Sequence, residues 1–393
     1  MLILVTTLTL IFPVFGIVFI GLGVKYDKKR WILYAFLLAF VLGIIGFSFT
    51  PYQGQNTDLV RHFDRMILAS NHGMEYSEIF ENLPFFYWIL KLFSYCSNPH
   101  CLPFFSTFVE YAILFFVILK TNAHVEEDKR FTWSGIIAII CLTSFLGYCS
   151  GIFQYLTFTL FVLLVYLDVN AQSKLQRWLV ILGYAMLMLL HSSGVILFIL
   201  RLLFFFINSR KGRINTPLVI LLMCWSTLTT VIIKILSSFT NLFGVSYFIK
   251  TVEQYMENGS SVYRIQTFLR TIALIVCIYI ILQVKKYINV KQIDGKWTMY
   301  SNFALIVALF TIGSFFQSDL YTRFTMLVMM LTAPLLGMFN RSLKGKTSSL
   351  ILLCEYMFFG VNLLYYTLTA YRLFMYNDLL FTNIFTILKG IFL

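Results

Sequence analysis

Apolar runs of about 17–25 residues recur along nearly the whole chain, the length that carries a helix across ~30 Å of hydrocarbon. Short polar clusters separate them. The runs lack the residue-by-residue alternation that strands of a membrane β-barrel require. The pattern predicts an all-α, polytopic integral membrane protein forming one domain over 1–393. The expected number of transmembrane helices is about twelve, range about 11–14.

Taken in order, 2–23 reads as the first span, because no small-residue cleavage pattern follows it. The next span is 31–50. The apolar piece 83–95 is short, and a Pro-containing break sets it apart from the span 104–119, so it reads as a re-entrant or interfacial helix. A helical pair follows at 133–149 and 152–167. The run 178–207 is too long for one ordinary span, and two short helices meeting near His191 suit it better than one tilted helix. Further spans are expected at 217–236, 267–284, 299–316, 320–339 and 349–369. The remainder, 370–393, reads as an amphipathic tail or a poor last span.

Composition agrees with this picture: 59% of residues are hydrophobic and only 12% charged, which excludes an ordinary soluble domain. The net charge of +13 would point to nucleic acid in a soluble protein. Here the basic residues fall in short clusters between spans, as orientation signals do, and no nucleic-acid partner is expected. Basic loops such as 25–30, 210–213 and 341–346 are placed inside. Loops 51–82 and 237–266 are placed outside. Of the 30 lysines and arginines, those two loops and the 317–323 turn hold only Arg61, Arg65, Lys250, Arg264 and Arg323. Most of the seven cysteines lie in apolar runs and read as small hydrophobes. Cys96 and Cys101 flank a polar turn and are placed to pair in an oxidising compartment. With His100 alone beside them, a metal site lacks ligands.

Chemistry concentrates first in 51–66, where Asp58, Arg61, His62, Asp64 and Arg65 crowd behind a polar run at a membrane boundary. Asp58 reads either as a cap for the helix that follows or as an acid–base group. His191 stands in an otherwise lipid-like run, either as a packing histidine or on a substrate path. Arg323 reads either as a snorkelling arginine paired with Asp319 or as a phosphate ligand. Glu110, Arg201 and Glu355 read as buried polar packing. Walker, HExxH, GxSxG and paired CxxC motifs are missing, so a soluble nucleotide donor is not indicated. Asp58, His191 and Arg323 are expected to gather in one cleft open to the outside.

The ordered elements Asp58-Leu59-Val60-Arg61-His62-Phe63, Leu190-His191-Ser192-Ser193 and Tyr321-Thr322-Arg323-Phe324 resemble those of EpsG/Wzy-type polysaccharide polymerases. That family tends to show Asp-x-x-Arg followed by two aromatics, then a mid-chain His-x-Ser, then an arginine after a late outer turn. The chain departs from it at Phe153-Gln154, where Arg-Gln is common, and at His62, which replaces an aromatic. The resemblance implies a GT-C-like membrane enzyme joining oligosaccharide repeat units carried on undecaprenyl pyrophosphate, at the outer face of a bacterial inner membrane. It implies catalytic roles for Asp58, His191 and Arg323. Arg61, His62, Gln154, Tyr255, Arg264 and Tyr321 become substrate contacts, with Tyr52, Tyr76 and Tyr247 as sugar-stacking faces. It calls for no cofactor and no metal. A chain-length regulator is a candidate partner besides membrane lipids. An O-antigen ligase and a lipid-linked glycan flippase are the competing readings; no internal repeat of the transporter kind is evident.

Overall fold

The computed structural model describes residues 2–26, 30–52, 54–55, 57–122, 130–204, 216–225, 263–343, 346–376, 379 and 382–392. The segment 226–262, with most of the expected outer loop and Tyr247 and Tyr255, lies outside the described residues, as does the basic cluster 210–213.

The described chain is helical apart from one small ribbon. It begins with α1 (Leu2–Ile11), α2 (Pro13–Tyr26) and α3 (Trp31–Phe47), then strand β1 (Phe49–Pro51). Next come α4 (Asp58–Asn71), α5 (Glu78–Asn82), α6 (Pro84–Phe93) and α7 (Cys101–Asn122). The middle holds α8 (Arg130–Leu142), α9 (Phe145–Ser150), α10 (Ile152–Asn170), α11 (Lys174–Leu187), α12 (Ser193–Leu203) and α13 (Thr216–Met223). Then follow α14 (Tyr263–Lys291), α15 (Gly295–Gly313), α16 (Ser318–Thr332) and α17 (Leu336–Ser342). The chain closes with α18 (Lys346–Leu373), β2 (Phe374–Tyr376) and α19 (Ile384–Phe392).

Among the described residues, four stretches are long and apolar enough to cross a membrane: Cys101–Asn122, Ile152–Asn170, Thr267–Lys291 and Asp319–Ser342. They mark a multi-pass membrane protein. The expected span 133–149 is split between α8 and α9, and two more are built differently. The run 2–23 is a folded-back pair, α1 and α2, packed side by side. A Cβ on Gly16 would lie 3.1 Å from the Cα of Thr9, whereas seven residues span about 10 Å along a straight helix. Pro13 is the break: it starts α2, where its missing N–H costs nothing. The second difference is at 31–50, where the helix stops at Phe47 and the chain turns into β1.

Contacts divide the chain into two compact units, residues 1–120, 144–160 and 363–393 in one, and 121–143 and 161–362 in the other. In the first, β1 pairs antiparallel with β2, so that Phe49 faces Tyr376 and Pro51 faces Phe374. The rings of Phe49 and Phe374 stack with centroids 4.2 Å apart. The tail expected over 370–393 thus contains a strand and a short helix docked on its own unit. Ile387 of α19 joins Ile44, Phe47, Cys101 and Phe104 in a buried cluster.

In the second unit α14, α15 and α16 pack on one another, and α8 packs on α17 and α16. Pro334 interrupts the run from α16 to α17 with one turn of tighter helix, and the Asn122 side chain donates to its carbonyl at 3.1 Å. The run 178–207 contains two helices, α11 and α12, with the break at 188–192. A capping box at Ser173 and Gln176 starts α11. At the far end the chain doubles back so tightly that a Cβ on Gly194 would collide with the carbonyl of Leu187.

Candidate functional site

In the first unit the candidate residues centre on α4. Asp58 is its first residue and Thr57 its N-cap, and neither caps it through a side chain. A hydroxyl from α9 serves instead, the Leu59 N–H donating to Ser150 Oγ at 3.2 Å. Asp58 forms an ion pair with Arg61, and both lie on the exposed face of the helix. The helix is strongly two-faced: Leu59, His62, Met66 and Ala69 are buried, at the spacing of one helical face.

His62 lies on that buried face, its ring centroid 5.2 Å from Phe153 and 6.0 Å from Phe86. Burial above all, then the charges of Arg65 and Arg61, lowers its pKa to about 3, while a hydrogen bond to the Ser150 backbone pulls the other way. His62 is therefore a neutral packing group near pH 7. Arg65 places its guanidinium 5.6 Å from the centre of the Phe86 ring. Gln154 is buried in the first turn of α10, next to Phe153. His62 and Gln154 thus lie buried near the α4–α9–α10 contact, while Asp58 and Arg61 are on the exposed face of α4.

His191, Tyr321 and Arg323 belong to the second unit. His191 occupies the α11–α12 turn, half-buried. Its Nδ1 accepts the backbone N–H of Ser193 at 3.1 Å and lies 2.9 Å from Ser193 Oγ. A backbone N–H can only donate, so Nδ1 is an acceptor and the neutral ring carries its proton on Nε2.

Arg323 lies on α16, where its Nε donates to Asp319 Oδ1 at 2.9 Å across one turn. Beside it, the buried Tyr321 hydroxyl is 2.8 Å from Thr271 Oγ1 of α14. Arg270, also buried, directs Nη1 at the sulfurs of Met326 and Met329, the latter at 3.7 Å. Arg323 and Met326 are three residues apart and so adjacent on the helix surface. Arg270 thus reaches α16 at Met326, while Arg323 is held one turn earlier on that helix by Asp319. The burial of Arg270 against α16 is not legible in the sequence. Arg264 lies in the first turn of α14, and the structure describes its backbone only.

Other candidates are placed as follows. Tyr76 is exposed, and His72 stacks on one face of its ring at 4.0 Å. The Tyr52 N–H donates to the Leu373 carbonyl at 3.1 Å. Cys96 and Cys101 are free thiols. Glu110, Arg201 and Glu355 are buried, and Arg201 pairs with Asp168 at 2.6 Å. Among the described residues no group of three or more His, Cys, Asp or Glu side chains is arranged to hold a metal.

Comparison with family models, curated proteins and solved structures finds no match. A functional reading rests on the motifs and their geometry.

Proposed function

We propose that this protein is a polymerase of the EpsG/Wzy type, acting at the outer face of a bacterial inner membrane through about twelve spans in a GT-C-like arrangement. It joins oligosaccharide repeat units carried on undecaprenyl pyrophosphate. The observation that carries the reading is Arg323 near the start of α16, its side chain 30% exposed and its Nε held by Asp319. Guanidinium groups keep their charge and bind phosphate oxygens through paired N–H donors. A departing pyrophosphate accumulates negative charge, so donors fixed in place beforehand favour its departure.

In this scheme a hydroxyl at the non-reducing end of one lipid-linked unit attacks the anomeric carbon of the other. The glycosidic bond forms as the bond to pyrophosphate breaks. Asp58 takes the hydroxyl proton, leaving Arg61 to hold the carboxylate in position; such proton transfer contributes about 10²–10⁴-fold. His191 donates from Nε2 to a substrate oxygen. Pyrophosphate is already a competent leaving group, so the reaction needs no nucleotide.

The test is glycan chain length in a strain lacking its own copy and carrying Arg323→Lys or Arg323→Ala at normal protein levels. The expected product is single repeat units on the acceptor. Long chains from both variants would remove Arg323 from the reaction. Complete polymer stranded on its lipid carrier would identify a ligase, and units trapped inside the cell a flippase.

A further inference from the structure

We propose that α6 and α19 form a platform lying in the headgroup layer of an anionic bilayer, where α7 leaves the membrane. Both helices are too short to cross: ten and nine residues rise about 15 Å, half the hydrocarbon thickness. Yet both are apolar on two sides. In α6, Phe86, Tyr87 and Leu90 face the protein while Trp88 and Leu92 are exposed, with Tyr95 exposed just beyond. In α19, Ile387 and Gly390 face inward while Phe385, Leu388 and Phe392 are exposed. Water does not favour this much clustered apolar surface.

The two helices share one anchor. The Gly390 carbonyl of α19 accepts the Asn98 N–H at 2.9 Å and the Ser97 hydroxyl at 2.8 Å, in the turn between α6 and α7. Cys101, the first residue of the crossing stretch Cys101–Asn122, places its sulfur 3.4 Å from the same carbonyl. The platform therefore sits at the end of a span, which is headgroup depth. Its charge fits that layer. Each helix carries one lysine and no carboxylate. The Lys91 ammonium lies 5.4 Å and 5.8 Å from the ring centres of Tyr87 and Trp88. Basic groups beside Trp and Tyr are the usual side chains of an anionic membrane interface.

The experiment places a nitroxide at Leu92→Cys, Phe385→Cys or Phe392→Cys, each in the full chain with Cys224 and Cys354 replaced. The protein is reconstituted in nanodiscs of phosphatidylglycerol and phosphatidylethanolamine. All three labels are expected to collide with oxygen in preference to a water-soluble nickel chelate, at a depth of about 5–10 Å below the phosphates. Preference for the chelate would put the face in water and overturn the proposal. Spin–spin broadening between copies would make it a protein interface and overturn it equally. The charge is read separately: Lys91→Gln and Lys389→Gln should each reduce phosphatidylglycerol co-purified per protein about fivefold, the worth of one basic side chain at an anionic surface. Unchanged retention in both would overturn the anionic preference.

Discussion

At the start of α4, Asp58 and Arg61 pair with 49% and 52% of their side chains exposed. Between α10 and α12, Asp168 and Arg201 make the same pair with 8% and 7% exposed, inside a sleeve formed by Tyr184, Phe204 and Phe303. Asp319 and Arg323 fall between these extremes, at 22% and 30%. One chemistry thus appears at three depths. An exposed pair contributes about 0.2–1 kcal/mol, because water competes for both charges. A buried pair holds charges that nothing else can solvate, so losing one partner costs far more than the pair contributes. The exposed pair can exchange its partner for a ligand at little cost. The buried one serves to fasten α10 to α12.

The comparison can be broken most sharply at its buried end. Arg201→Ala should destabilise the protein by about 3–5 kcal/mol, measured by unfolding in detergent micelles. The double variant Asp168→Leu with Arg201→Met should recover most of that loss. If the single variant unfolds like the parent, Asp168 and Arg201 are not fastening the helices.

A smaller effect comes from the buried face of α4. His62 has a folded pKa of about 3 against an ordinary 6.5, so the unfolded chain binds a proton that the folded one refuses. Its contribution is fully present above pH 6.5 and is lost as pH falls toward 3. The loss is about 1.4 kcal/mol per pH unit, or about 2 kcal/mol by pH 5. His62→Gln should flatten unfolding midpoints measured between pH 7 and pH 5. An unchanged slope would mean that the ring is not held neutral by burial.

The half-exposed pair should matter less for stability, with Asp319→Asn costing under about 1 kcal/mol. Asp58→Asn should cost least, about 0.5 kcal/mol or below. The proposed chemistry reverses that ranking for activity. Asp58→Asn and Arg323→Lys should shorten the glycan severely, whereas Arg201→Ala should lose activity only in proportion to folded protein. An Asp58→Asn variant with normal polymer would leave Asp58 as an exposed surface charge.

Much of this was visible along the chain, for reasons specific to each element. The membrane class follows from run length, since hydrocarbon thickness sets it and local sequence records it. The break at His191 was legible because 178–207 exceeds one span and carries a glycine at its centre. The Asp319–Arg323 pair was legible because side chains four residues apart on a helix are neighbours. Asp58 was misread as a possible cap, because the group that binds the helix N-terminus, Ser150, comes from 91 residues away. The fold-back at Pro13 was hidden within a run whose length suited one straight span.

The sequence by itself determined what depends on nearest neighbours and on solvent: apolar runs that demand a membrane, the break near His191, and local charge pairs. Tertiary structure alone decided which distant groups meet. Asp168, just past the expected span 152–167, became half of a buried pair with Arg201, 33 positions on. His62 was expected as a substrate contact and became a buried ring between phenylalanines. The chain's last strand and helix looked like a tail and became part of the first unit. The physical reason is common to all three: the energy of a charge or an apolar face depends on what surrounds it, and those surroundings come from distant parts of the chain.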